Sequence, residues 1–146
     1  MNKATKSVLT IIAVALVLLA MQFQSSAQTG TQLTVKEIMN AIITPMTATI
    51  WGAYQLESDA QWQEIENAAL TVIAAGNLLA SSVSESQFSA RAGEAAWQDY
   101  NTQMIAAARQ VIAAVAKKDE EALSNAGNDA LYPPCESCHR DYQDKQ

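Results

Sequence analysis

Two cysteines and a histidine near the end of the chain form the pattern with the clearest chemistry. Cys135, Cys138 and His139 stand in the run Cys-Glu-Ser-Cys-His, and the sequence contains no other cysteine or histidine. On a helical turn, thiols with this spacing reach the two vinyl groups of one porphyrin, and the next imidazole lies under the iron. The run therefore predicts one covalent haem c per chain, with Cys135 and Cys138 as thioethers and His139 as the proximal iron ligand.

Three other roles for these residues remain open. A structural zinc site needs four Cys or His ligands, and this sequence offers three. A thioredoxin-like redox motif accompanies a βαβ pattern, and the sequence shows no strand pattern. A disulfide that closes a two-residue loop would stabilise the fold only weakly.

The first 27 residues have the pattern of a secretory signal peptide. Lys3 and Lys6 precede an apolar run from Val8 to Ala20, and Ser25-Ser26-Ala27 offers small residues for cleavage. The run is shorter than the about 20 residues of a membrane span, although an uncleaved anchor remains the alternative. We therefore expect removal of residues 1–27, export to the periplasm and no stable membrane insertion afterwards.

The chain is acidic, with 9 Lys and Arg residues against 15 Asp and Glu residues. Cleavage after Ala27 removes two lysines and no acid, which leaves 7 against 15 and a net charge of −8. Nucleic acid or anionic lipid would require a basic patch, so we expect neither as a partner. A positively charged protein partner is compatible with this surface. Residues 28–146 suit a single compact domain.

Apolar spacing predicts helices in the first half of this domain. The first helix should start at Thr34, which forms a capping box with Glu37. Pro45 should kink this helix without ending it, because the apolar period continues beyond it. The second helix should start at Ser58, with Gln61 as its capping partner.

The second half predicts two further helices after a serine-rich connection. The third spans about Glu94 to Lys117, and the fourth begins near Asp119. Pro133-Pro134 should break or sharply bend the fourth helix before Cys135, after which a short helix restarts through Tyr142. The predicted fold class is all-α: an antiparallel four-helix bundle with haem attached near the C-terminus, between facing helices.

The position of the haem motif supports a resemblance to a known family. A Cys-x-x-Cys-His run at the C-terminal end of an exported four-helix protein resembles class II cytochrome c, the cytochrome c′ family. Further similarities are Ile38-Met39 followed by Pro45 and Trp51, the pair Trp97-x-x-Tyr100, and Tyr142 shortly after His139.

The resemblance implies a haem between helices, with His139 proximal and a first-helix side chain over the distal face. In low-spin members that side chain is a methionine that ligates the iron, and the protein carries electrons; Met39 matches its position. In high-spin members the iron is five-coordinate and binds NO or CO. Plain core packing is the alternative role for Met39, because Met46 and Met104 lie on similar apolar stripes.

We therefore expect a periplasmic electron carrier with one haem c, and gas binding is the alternative function. No second histidine is present for acid–base catalysis, so we do not expect an enzyme. Redox proteins are the expected partners, and a homodimer is also compatible with the pattern. We expect Trp51, Trp62 and Trp97 to anchor the core and Arg140 to be exposed.

Overall fold

A computed structural model describes residues 33–81 and 91–143. All regular structure within these ranges is helical, as the apolar spacing predicts, and the ranges belong to one compact unit, Gln32–Gln146. The predicted signal peptide and most of the serine-rich connection lie outside the described residues. No helix within the described ranges is long and apolar enough to cross a membrane.

Helix α1 consists of three consecutive segments. These are an α-helical turn at Val35–Glu37, a π-helix at Ile38–Ile43 and an α-helix at Thr44–Trp51. The predicted capping box is present: the Thr34 amide donates to Glu37 Oε2 at 2.8 Å, and the Glu37 amide donates to Thr34 Oγ1 at 3.1 Å. The start of α1 is thus fixed by its own sequence.

The π-helical segment of α1 accommodates Pro45. A proline has no N–H to donate, and in an α-helix its ring clashes with the carbonyl group four residues back. Here the preceding turn is wider, and the Thr44 amide donates to the Met39 carbonyl group, five residues back. The helix therefore continues through Pro45, as predicted.

Helices α2 and α3 span Asp59–Ser81 and Ala95–Lys117, close to their predicted bounds. The Ser58 amide donates to Gln61 Oε1 at 2.9 Å, which confirms the predicted capping pair. The two helices pack along each other more extensively than any other pair of described elements.

Helix α4 also has three segments: Glu120–Asn125, a π-helix at Ala126–Leu131, and Tyr132–Tyr142. It begins where predicted, since the Asp119 side chain accepts a hydrogen bond from the Ala122 amide at 2.9 Å. The Cys-x-x-Cys-His run lies in the last segment.

The predicted break at Pro133-Pro134 is wrong, because the described helix continues through both prolines. The two rings lie at the start of the last segment, directly after the π-helix. The π-helix before them again widens the turn, and the Tyr132 amide donates to the Gly127 carbonyl group five residues back.

Each of the four described helices contributes to the core, and α2 and α3 contribute the most buried residues. The largest fully buried side chains are Ile38, Val72, Val111 and Leu131, one from each helix. Each buried branched aliphatic side chain of this kind contributes about 1.5–3 kcal/mol through removal from water.

Two of the three tryptophans anchor this core as expected. Trp62 and Trp97 are buried, but Trp51 is 41% exposed, so its predicted core position is wrong. The indole N–H of Trp51 donates to the Gly127 carbonyl oxygen at 2.9 Å, which holds the ring at the edge between α1 and α4. Arg140 is exposed, as expected.

Replacing Gly76 with alanine should destabilise the contact between α2 and α3. A Cβ atom at Gly76 would lie 2.7 Å from Ile105 Cγ1 and 3.1 Å from Asn101 Oδ1. We expect a net loss of about 1–2 kcal/mol in the free energy of unfolding, because overpacking exceeds the helix-propensity gain. Urea unfolding of wild type and Gly76→Ala measures this loss. In an Ile105→Ala background the same change should be neutral or stabilising; an equal loss there would contradict the packing explanation.

Candidate functional site

A cavity of about 220 Å³ collects the predicted site residues. Cys135, Cys138 and His139 line it from α4, and Met39 lines it from α1. These residues come from opposite ends of the described chain, so the tertiary fold alone brings the methionine to the cysteine–histidine run. Trp97 and Met104 line the cavity from α3, and Leu79 closes it from α2.

The cysteines and the histidine differ in solvent exposure. Both cysteines are half-buried free thiols, whereas His139 is exposed at the rim of the cavity. Burial raises the pKa of Cys135 to about 11, and burial together with Cys135 and Asp141 raises that of Cys138 to about 11. Both side chains are therefore neutral thiols at neutral pH, which suits an apolar cavity wall.

Two of the three methionines on the apolar stripes, Met39 and Met104, line the cavity, and the third does not. Met39 is half-buried in the π-helical segment of α1 and lines the cavity. Met104 lines the same cavity from α3, but Met46 lines a separate groove between α1 and α2. The cavity thus offers two thioether groups, and Met46 provides a matched methionine outside it.

Asn101 is a polar residue of the cavity wall that the sequence reasoning missed. It is only 6% exposed, and its Nδ2 donates to the Gly76 carbonyl oxygen at 2.9 Å. Its Oδ1 has no hydrogen-bond partner among the described residues, and an unpaired buried acceptor costs about 1–3 kcal/mol. Asn101 stands four residues after Trp97 and three before Met104 on the inward stripe of α3, so its helical position could have indicated its burial.

The turn that follows the Cys-x-x-Cys-His run is fastened to the start of α3. The Tyr142 hydroxyl donates to Glu94 Oε2 at 2.9 Å, and the Tyr100 hydroxyl donates to Asp141 Oδ2 at 2.7 Å. The rings of Trp97 and Tyr142 meet edge to face at 5.2 Å. These contacts fix the direction in which α4 presents its thiols and imidazole.

The donor set of the cavity fits haem c. Thiols add to porphyrin vinyl groups as thioethers, and imidazole and methionine sulfur are both axial ligands of haem iron. The walls are mostly apolar, which suits the faces of a porphyrin ring. Within the described residues, no three His, Cys, Asp or Glu side chains form a group that could hold a metal ion by themselves.

Comparisons with protein-family models, with curated proteins and with solved structures found no match. What this site does must therefore be inferred from its own residues and geometry.

Replacing Tyr142 with phenylalanine should reduce the loss of stability at alkaline pH. Burial and the hydrogen bond to Glu94 raise the pKa of Tyr142 from 10.0 to about 12. Stability from the neutral phenol is therefore complete below pH 10 and is lost as the pH rises towards 12. Because the hydroxyl group is near solvent, we expect a loss of only about 1 kcal/mol.

Urea midpoints near pH 8 and near pH 11 measure this effect. Wild-type protein should lose more stability between the two conditions than Tyr142→Phe does. Tyr54→Phe is the matched control, because this ring is 76% exposed, and it should lose as much stability as wild type. Equal losses in wild type and Tyr142→Phe would contradict the assignment.

Proposed function

We propose that this protein is a periplasmic monohaem c-type cytochrome that carries electrons, built as an antiparallel four-helix bundle. The observation that supports this most strongly is the single cavity lined by both cysteines, His139 and Met39. The cysteine–histidine run alone would account for haem attachment, and Met39 in the same cavity is the reason to prefer electron transfer.

Each site residue has a distinct role in this proposal. Cys135 and Cys138 would hold the haem through thioether bonds, His139 would be the proximal ligand and Met39 the distal one. The haem, when bound, supplies a one-electron Fe(III)/Fe(II) couple. Methionine ligation would raise the reduction potential, and the apolar cavity walls would limit the access of water to the site.

The fastening of both ligand-bearing helices supports electron transfer, since little reorganisation then accompanies a change in charge. The carbonyl group of Met39 is bonded within the π-helix of α1. On α4, Asp141 and Tyr142 anchor the turn after His139 through their bonds to α3. Both candidate axial ligands therefore stand on constrained backbone.

Reversible binding of NO or CO is the second candidate function. If Met39 does not ligate the iron, the apolar side chains of Ile43, Leu79 and Met104 would cap an open coordination position. The identity of the sixth ligand distinguishes this function from electron transfer.

Covalent attachment should be visible in the intact mass of the purified protein. Expression in a host that matures c-type cytochromes should give a polypeptide that starts at Gln28 and retains one haem after denaturation. Cys135→Ala/Cys138→Ala should lack covalent haem because both thioether positions are removed. Quantitative extraction of haem from the wild-type polypeptide by acidified organic solvent would contradict attachment, and an intact Met1 in the membrane fraction would contradict export with cleavage.

Replacing Met39 with alanine should open the iron. We expect a change from low-spin to high-spin haem, fast CO binding and a lower reduction potential, because the sulfur ligand is lost. Since Met39 is only half-buried, the packing loss should be at the lower end of the usual range, about 2 kcal/mol.

Two methionine variants are the controls for this change. Met46→Ala removes a methionine of the same helix outside the cavity, and Met104→Ala removes the other methionine within it. Neither should open the iron. High-spin haem in Met104→Ala with low-spin haem in Met39→Ala would assign the sixth ligand to Met104 and contradict the role of Met39.

A further inference from the structure

Three large aromatic side chains are exposed where α1 ends and α4 passes beside it. Trp51, Tyr54 and Tyr132 are 41%, 76% and 50% exposed. Trp51 and Tyr132 are in edge-to-face contact, with ring centroids 6.2 Å apart, and Tyr54 follows Trp51 by three residues. We call these three residues the aromatic patch. The other large hydrophobic side chains exposed within the described ranges are leucines, including Leu70 and Leu78 of α2.

The Trp51 ring of the aromatic patch is held in place by the π-helix of α4. The carbonyl oxygen of Gly127 accepts hydrogen bonds from the Tyr132 amide and from the indole N–H of Trp51. A Cβ atom at position 127 would lie 3.3 Å from Trp51 Cδ1, so glycine permits the close approach of the indole ring. An exposed aromatic ring that is fixed as Trp51 is loses little conformational entropy when a partner covers it.

Trp51 connects the aromatic patch with the cavity. The same indole ring that is partly exposed to solvent also belongs to the cavity wall, together with Met39 and Cys135. A protein that covers Trp51 therefore comes within one side chain of whatever the cavity holds.

The two stretches of sequence that carry the aromatic patch contain acidic residues and no basic one. From Asp119 to Cys138 the chain carries five acidic residues and no basic one, and from Ile38 to Ser58 it carries one acidic residue and no basic one. Asp129 and Glu136 are exposed on either side of Tyr132 in α4. Lys118, at the end of α3, is engaged in an ion pair with Asp59.

We propose that the aromatic patch and its acidic border form the docking surface for a basic electron-transfer protein. This inference rests on the proposed function, since it places electron exchange at Trp51. Aromatic residues are enriched in the centres of protein interfaces, and a charged border raises the association rate of complementary partners. Interfaces between redox partners are small and transient, so a patch of a few rings is sufficient.

Binding can be measured without electron transfer. The ¹⁵N-labelled reduced holoprotein is titrated with a reduced basic mitochondrial cytochrome c as the probe, and the Trp51 indole N–H signal is followed by NMR. We expect shifts concentrated at Trp51, Tyr54 and Tyr132, with affinity falling as salt is added. Tyr54→Ser/Tyr132→Ser should weaken binding about 10-fold. Asp129→Asn/Glu136→Gln should weaken it and reduce the salt dependence.

Leu70→Ser/Leu78→Ser on α2 is the matched control and should bind as wild type does. Tyr54→Ser alone changes a side chain that is 76% exposed, so its effect on binding is separable from folding.

Unchanged affinity in Tyr54→Ser/Tyr132→Ser, or shifts centred on α2, would overturn the proposal. Shifts at Trp51 that depend on protein concentration without the probe would also overturn it, because a second copy would then be the occupant. If the wild-type holoprotein is low-spin but does not bind the probe, the docking proposal is overturned and the proposed function stands. A high-spin spectrum with normal binding would contradict the proposed function alone.

Discussion

A proline within a helix has no N–H to donate, and this constraint shapes both walls of the cavity. In α1 the wide turn before Pro45 carries Met39, and in α4 the wide turn before Pro133 leads directly into the Cys-x-x-Cys-His run. A regular α-helical register would rotate every residue that follows by part of a turn. The direction of Met39 relative to the rest of α1, and that of the two cysteines relative to the start of α4, therefore depend on the π-helical register that the prolines favour.

The same wide turn of α4 connects the cavity with the surface. Its Gly127 carbonyl oxygen accepts hydrogen bonds from the indole N–H of Trp51 and from the backbone amide of Tyr132. On the far side of the cavity, Tyr142 and Tyr100 tie the C-terminal turn to α3. The four described helices all contribute to the core, and the candidate cofactor site is lined by residues from each of them.

Most of the fold follows from local signals in the sequence. Thr34, Ser58 and Asp119 mark helix starts correctly, because the side chain of each accepts a hydrogen bond from a backbone amide that a helix start leaves free. The apolar stripes correctly indicate that Trp62 and Trp97 are buried. Met39 is nominated only by the resemblance to a known family, because Met46 and Met104 lie on similar apolar stripes.

The remaining features depend on interactions between distant residues. Pro133-Pro134 suggests a break, because the helix signals of the local sequence do not reveal the π-helical turn that accommodates both proline rings. Trp51 lies on the apolar stripe of the first helix, yet a hydrogen bond to Gly127 on another helix holds its ring half-exposed. The shared position of Met39 and Met104 in one cavity, with Met46 outside it, is likewise a property of tertiary packing.

The most direct test of the central claim is the optical spectrum of the reduced wild-type protein, recorded before and after addition of CO. If Met39 and His139 both ligate the iron, the reduced haem is low-spin and CO changes its spectrum slowly or not at all. A high-spin spectrum in which CO binds at once would contradict His/Met ligation and leave the cavity as a gas-binding site.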